Sequence, residues 1–151
     1  MKLEEIIQSI ANKHPENGIS LNPPATIAEF EKAEIKLGFQ LPADFREFYS
    51  LCNGFECEED IFNFLSLKDL FLDSDYGKDC VIFAEYMIYS DVWVLRKLPG
   101  DSYEIIYNDG EETILTTSLT VFLEKLLQGH VFGEGGLYKW RDQIRRGQNL
   151  L

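Results

Sequence analysis

Histidine is nearly missing from this 151-residue sequence: only His14, among Pro and Gly, and His130, just past a helical pattern, occur. Read as surface loop positions, they leave little material for a histidine-based catalytic or metal site. Cysteine is equally scarce. Cys52, Cys57 and Cys80 form an odd set in a chain with enough apolar residues for a core, so they read as reduced thiols and not as a disulfide framework. Cys52 and Cys57 lack the two-residue gap and the second ligand pair of a zinc site, and Cys52 reads as a structural thiol on an apolar helix face. No apolar run approaches the ~18 residues that cross a bilayer as a helix. Glu4 and Glu5 stand where a secretory signal needs a basic start, so the expected location is the cytoplasm, away from membrane.

Chemical motifs are missing too. There is no Gly-x-Ser-x-Gly elbow, and Gly133-Glu134-Gly135-Gly136 lacks the Lys-Ser/Thr that completes a phosphate loop. Asp73-Ser-Asp75-Tyr-Gly77-Lys-Asp79 imitates the start of a calcium loop but places Lys78 where the turn needs glycine and Ala84 where a bidentate Glu is required. The expectation is a binding protein and not an enzyme, with no catalytic set, metal or cofactor. Basic residues are few as well: 14 Lys and Arg face 26 Asp and Glu, a net charge of -12. Such a field repels nucleic acid and anionic membranes and attracts basic proteins.

What is present suits a folded domain, with 45% hydrophobic and 13% aromatic residues. Leu3, Ile6, Ile7 and Ile10 mark one helical face, and His14 to Gly18 a loop. Thr26 with Glu29 forms a capping box that starts a second helix, whose stripe is Ile27, Phe30, Ala33 and Leu37 and whose end is Gly38. Pro42 fits near the first turn of a third helix carrying Phe45, Phe48, Tyr49 and Cys52, with Asn53-Gly54 as its exit. After an acidic loop over Glu56 to Asp60, a strand is expected at Ile61–Leu65 and a short helical turn within Ser66–Leu72. Further strands are expected near Val81–Glu85, Val92–Lys97, Tyr103–Tyr107 and Thr113–Thr116, forming an antiparallel meander. Ser118 caps a last core helix with Leu119, Phe122, Leu123 and Leu126 inward. The fold class is α+β: one domain over 1–136, a twisted, mainly antiparallel sheet flanked by helices. A basic tail segment, 137–151, carries a net +3 and reads either as docked on the same domain or as a free element able to pair two copies into a homodimer.

The order Asn22-Pro-Pro-Ala-Thr26, Phe30-Glu31, Leu37-Gly38, Leu41-Pro42-Ala-Asp44-Phe45-Arg-Glu-Phe48-Tyr49, Asn53-Gly54-Phe55 resembles the SUKH (Smi/Knr-like) superfamily, and Ser118-Leu-Thr-Val-Phe122-Leu123 is similar to its closing helix. The resemblance spans residues 20 to 126. It implies an intracellular bacterial immunity protein that binds and neutralises a cognate toxin, often a nuclease. A cytosolic regulatory or scaffold module is the alternative, followed by an uncharacterised enzyme or small-ligand binder. The residues proposed for the partner come from the acid-rich segments: Glu56, Glu58, Glu59, Asp60, Asp73, Asp75, Tyr76 and Asp79, then Asp109, Glu111 and Glu112. Residues 54 to 79 hold eight acids against two lysines. Two readings stand, a solvated rim over core aromatics or an interface whose carboxylates occupy a nuclease's phosphate-binding surface.

Overall fold

Local signals decide where the helices begin and end. Thr26 Oγ1 accepts the Glu29 N–H at 3.2 Å while the Glu29 carboxylate accepts the Thr26 N–H at 3.0 Å, opening α2 (Ile27–Leu37). Gly38, with φ of 82°, closes that helix in the left-handed region and donates its N–H to the Glu34 carbonyl. Pro42 stands at the expected start of α3 (Ala43–Leu51), as its N-cap. The free Ala43 N–H is met by Asp101 Oδ1 at 3.1 Å. Cys52, expected on the α3 face, is the C-cap of that helix. Ser118 caps α4 (Leu119–Gly129) through the Val121 N–H, and all four of its expected inward residues are fully buried.

The computed structural model describes residues 1–13, 18–58 and 61–149. Besides these helices it contains α1 (Leu3–Lys13) and α5 (Leu137–Asn149), and the strands β1 (Ile19–Leu21), β2 (Phe55–Cys57), β3 (Phe62–Phe64), β4 (Phe71–Leu72), β5 (Cys80–Tyr86), β6 (Asp91–Lys97), β7 (Tyr103–Asn108) and β8 (Glu112–Thr116). All pairings are antiparallel, in the order β1-β2-β3-β5-β6-β7-β8, with β4 also paired to β5. The chain is a single α+β domain, and β5 to β8 form the expected meander. The loop expected from Glu56 is a strand over its first two residues. Phe55 and Cys57 are buried and Glu56 is exposed, the two-residue alternation of a half-buried strand. The helical turn expected within Ser66–Leu72 is a 3₁₀ turn, Leu67–Asp69, followed by β4. His14, Glu59 and Asp60 lie outside the described residues, as does most of the expected loop over 14 to 18.

The sheet turns one face toward α3, α4 and α5. Phe64, Ala84, Trp93 and Tyr107 share a row on that face. Phe48 of α3 meets Phe64 with ring centroids 4.4 Å apart, Phe45 meets Phe83 edge-on at 5.3 Å, and Phe122 of α4 meets Phe83 at 5.4 Å. Each such buried ring contributes about 1.5–3 kcal/mol through area alone. Leu3, Ile6, Ile7 and Ile10 of α1 are all buried, and that helix packs on α3 and α4. Because antiparallel partners project to the same side, the register also defines a row on the other face: Ser20, Glu56, Asn63, Glu85, Val92, Asn108 and Glu112.

Candidate partner-binding surface

The outward row begins as a polar cleft. Asn63 Nδ2 donates to Glu85 Oε1 at 2.5 Å, and Glu85 Oε2 accepts the Tyr89 N–H at 2.8 Å. Glu85 is only 4% exposed, and these two bonds solvate its carboxylate. Asp69 ends the 3₁₀ turn and accepts the Ser66 hydroxyl at 3.1 Å. Glu56, Asp69, Glu85 and Tyr89, with Asn22, Asn63 and Phe64 to Ser66, line a cleft of about 280 Å³ that contains no basic side chain. Burial first, then the charges of Glu85 and Asp69, push the Tyr89 phenol above its ordinary range.

The acids singled out in the sequence fall into separate groups. Glu56 lines the cleft and Glu58 follows β2, both exposed. Asp73, Asp75, Tyr76 and Asp79 form a second group before β5. Asp73 accepts the Asp75 N–H at 3.0 Å and opens a 3₁₀ turn, Ser74–Tyr76. Tyr76 is half-buried, and burial, then Asp73 and Asp75, raise its phenol. Asp79 takes a left-handed φ of 56°, and its carbonyl accepts the Lys97 N–H at 3.0 Å, tying the loop to β6. None of the carboxylates in these two groups pairs with a base among the described residues.

Asp109, Glu111 and Glu112 are instead engaged within the molecule. Asp109 accepts Arg145 Nη2 at 3.0 Å and lies 3.8 Å from Arg141 Nη1, while Glu111 lies 3.9 Å from Arg145 Nη1. Arg145 holds the Asp109 carboxyl below the usual carboxylate range. Glu112 pairs with Arg96, which also meets Glu104 at 3.3 Å. The tail is thus a helix laid against β8. Arg145 Nε donates to Thr113 Oγ1 at 2.7 Å, and Arg141 donates to the Tyr107 hydroxyl at 2.8 Å with its guanidinium 4.6 Å from the Tyr138 ring centroid. The Tyr107 and Tyr138 hydroxyls both donate to Asp91. Burial, then this carboxylate, raises both phenols.

Other sequence-singled residues are structural. All three cysteines are buried and unbridged. Burial pushes the Cys52 thiol up to about 11, and its S–H donates to the Gly54 carbonyl at 3.1 Å. His130, expected on the surface, is 7% exposed. It ends α4 at φ 58°, donating its N–H to Leu126 and accepting from Leu137, because the chain reverses there into α5. Among the described residues no group of three His, Cys, Asp or Glu side chains is placed to hold a metal ion, and no helix is long and apolar enough to cross a membrane. Sequence reasoning missed Asp69 and Glu85 as cleft residues. Both were legible only as single acids inside apolar or mixed runs; strand register brings Glu85, and the 3₁₀ turn brings Asp69, to the cleft that Glu56 lines.

Helices packed on an antiparallel sheet, with a polar cleft beside β2, β3 and β5, define a small α+β domain. The chain belongs to the SMI1 / KNR4 family (SUKH-1), whose family model matches residues 24–125, in agreement with the resemblance carried by the Thr26 to Phe55 motifs. These are immunity-protein-like domains, generally without enzymatic activity, and imply a protein partner. No curated protein matches the chain. The match begins after α1 and β1 and stops short of α5, so these elements lie outside the matched span.

Proposed function

We propose that this chain is an immunity protein of bacteria that binds a cognate toxin and neutralises it by covering its basic, nucleic-acid-binding surface. One observation carries the reading: the carboxylates of the cleft, of Glu58 and of the loop Asp73 to Asp79 meet no base within the described molecule, whereas those of the β7–β8 turn do. A carboxylate row without internal cations is complementary to a surface built for phosphates, and occlusion requires no chemistry from the inhibitor. Family membership supports the protein-binding part of this reading, and the net charge of -12 supports a basic partner.

The test is capture on the immobilised chain from cells of its source organism at low and high salt, followed by purification of each captured protein and assay of its activity against increasing amounts of this chain. The expected result is a basic toxin domain, released as salt screens the attraction and inhibited at one-to-one stoichiometry. Captured proteins that retain full activity in the complex would refute neutralisation and favour a scaffold module. Within the complex, Glu56→Lys and Glu58→Lys are expected to lower the association rate more than they raise dissociation.

A further inference from the structure

The tip of the β5–β6 hairpin is apolar where such tips ordinarily use Asn, Asp or Gly. Met87, Ile88 and Tyr89 take φ values of 53°, 54° and 61° in succession. This left-handed region disfavours L residues by roughly 1–2 kcal/mol each and suits a β-branched Ile least. Burial does not compensate, since Ile88 is 86% exposed and Met87 and Tyr89 about half. Ile61, also left-handed and half-exposed, stands beside them, its carbonyl accepting the Met87 N–H at 3.0 Å. Neither backbone preference nor core packing accounts for these side chains, and strained, exposed apolar loops are where binding function concentrates.

The tip is also braced. Tyr89 N–H is held by Glu85, the Ser90 hydroxyl donates to the Met87 carbonyl at 2.8 Å, and the Tyr89 ring meets Phe71 edge-on at 5.8 Å. Bracing of this kind lowers the ordering cost of association. Charge then indicates what the tip faces. Tyr89 is a wall of the cleft, so Glu56, Asp69 and Glu85 stand behind the apolar tip with no base among them. Carboxylates lining a cleft without a base are complementary to a cationic side chain.

We propose that the hairpin tip and the cleft behind it form the docking anchor for a basic protein surface, with an apolar side chain of the partner seated on Met87 and Ile88 and one Lys or Arg entering the cleft beside Tyr89. This rests on the protein-binding reading above and adds the place and chemistry of the contact. The acids set approach and register, while the tip provides the desolvated area that slows dissociation. Met87 adapts to the partner's shape, and the fixed Tyr89 ring separates the two halves of the anchor.

A random-peptide display library panned on the intact, immobilised chain tests the anchor directly. Binders are expected to combine Lys or Arg with aliphatic or aromatic residues. Their affinity should fall at least about tenfold on Ile88→Asn and on Asp69→Asn, and hold on Ile35→Ser, which removes an 82% exposed isoleucine from α2. Asn tolerates the left-handed backbone, so Ile88→Asn should melt no lower than the parent, and this measurement separates lost contact from lost folding. A library yielding no binder sensitive to Ile88, or binders sensitive to Ile35 instead, overturns the anchor. Ile88-dependent binding together with a captured partner that stays active would overturn neutralisation alone.

Discussion

Replacing Arg145 with Ala tests whether α5 is held on the domain by specific polar contacts or merely rests there. The guanidinium makes a 2.7 Å bond to Thr113 Oγ1, a forked pair with Asp109, a 3.2 Å bond to the Glu111 carbonyl and a contact 5.3 Å from the Tyr107 ring centroid. Thr113 is 1% exposed, so losing its partner leaves a buried hydroxyl short of a bond, a loss of about 1–3 kcal/mol. The ion pair is partly solvated, with side-chain exposures of 20% and 28%, and is discounted to roughly 0.5–1 kcal/mol. The ring contact adds about 0.5–1 kcal/mol. These contributions overlap, and a net loss of about 2–3 kcal/mol is expected, which for a domain of this size lowers the melting temperature by roughly 5–10 °C. Thermal melting of Arg145→Ala, Arg145→Lys and Arg146→Ala is the assay. Lys keeps the charge without the fork and should recover less than half of the loss, while exposed Arg146 should be silent. An Arg145→Ala variant that melts like Arg146→Ala would refute the docking energetics. The pH dependence carries the same signature. Asp109 is depressed in the folded state, so its contribution is fully present above the unfolded Asp value of about 3.9 and is lost as pH falls through the lower folded value. The gap between parent and Arg145→Ala should therefore narrow below about pH 4 by the ion-pair share, the Thr113 and Tyr107 contacts remaining.

Three further outcomes follow from local geometry. Gly54→Ala should destabilise by at least about 2–4 kcal/mol in chemical denaturation, since φ is 83° and a Cβ would lie 2.4 Å from the Phe64 carbonyl oxygen, which is backbone and cannot step aside. Thr26→Ala removes the α2 capping box and should lower stability by about 1 kcal/mol, with Thr26→Ser restoring most of it. Alkylation at pH 8 should leave the native protein unmodified at Cys52, whose buried thiol is pushed up to about 11, and modify all three cysteines once the chain is unfolded in denaturant; rapid native labelling of Cys52 would contradict its placement.

Elements with a dense local signal were legible directly. The capping box at Thr26, the four-residue stripe of α1, the Ser118 cap and the strands of the meander all rest on interactions within a few residues of one another. β1, β2 and β4 were not, because these two- and three-residue strands lack the run of aromatic and β-branched residues, Ile61 to Leu65, that announces the equally short β3. Phe55-Glu56-Cys57 was read by its acid and not by its flanking buried residues. His130 was misplaced because the turn from α4 into α5 is set by packing of Val131, Leu137 and Trp140, which no local pattern announces. The same limit applies to the candidate site. Glu56 was visible as an exposed acid, but its place in one row with Glu85 depends on pairing β2 with β3 and β3 with β5, and Asp69 joins them from the 3₁₀ turn. Asp109, Glu111 and Glu112 look as free in the sequence as Asp73 or Asp75, and only the position of Arg141, Arg145 and Arg96 distinguishes them.

The docked tail also shapes the molecule's long-range field. Of the four bases in residues 137–151, Arg141 and Arg145 are paired with Asp109, Glu111 and Asp142 beside β8, so docking of α5 offsets the acids of the β7–β8 turn. The acids that no base meets among the described residues, those of the cleft, Glu58 and the Asp73 to Asp79 loop, then dominate the outward field. A basic partner drawn in by the total charge also experiences a torque that turns those acids toward it while the two are still separated by solvent, so a larger share of encounters arrive already aligned.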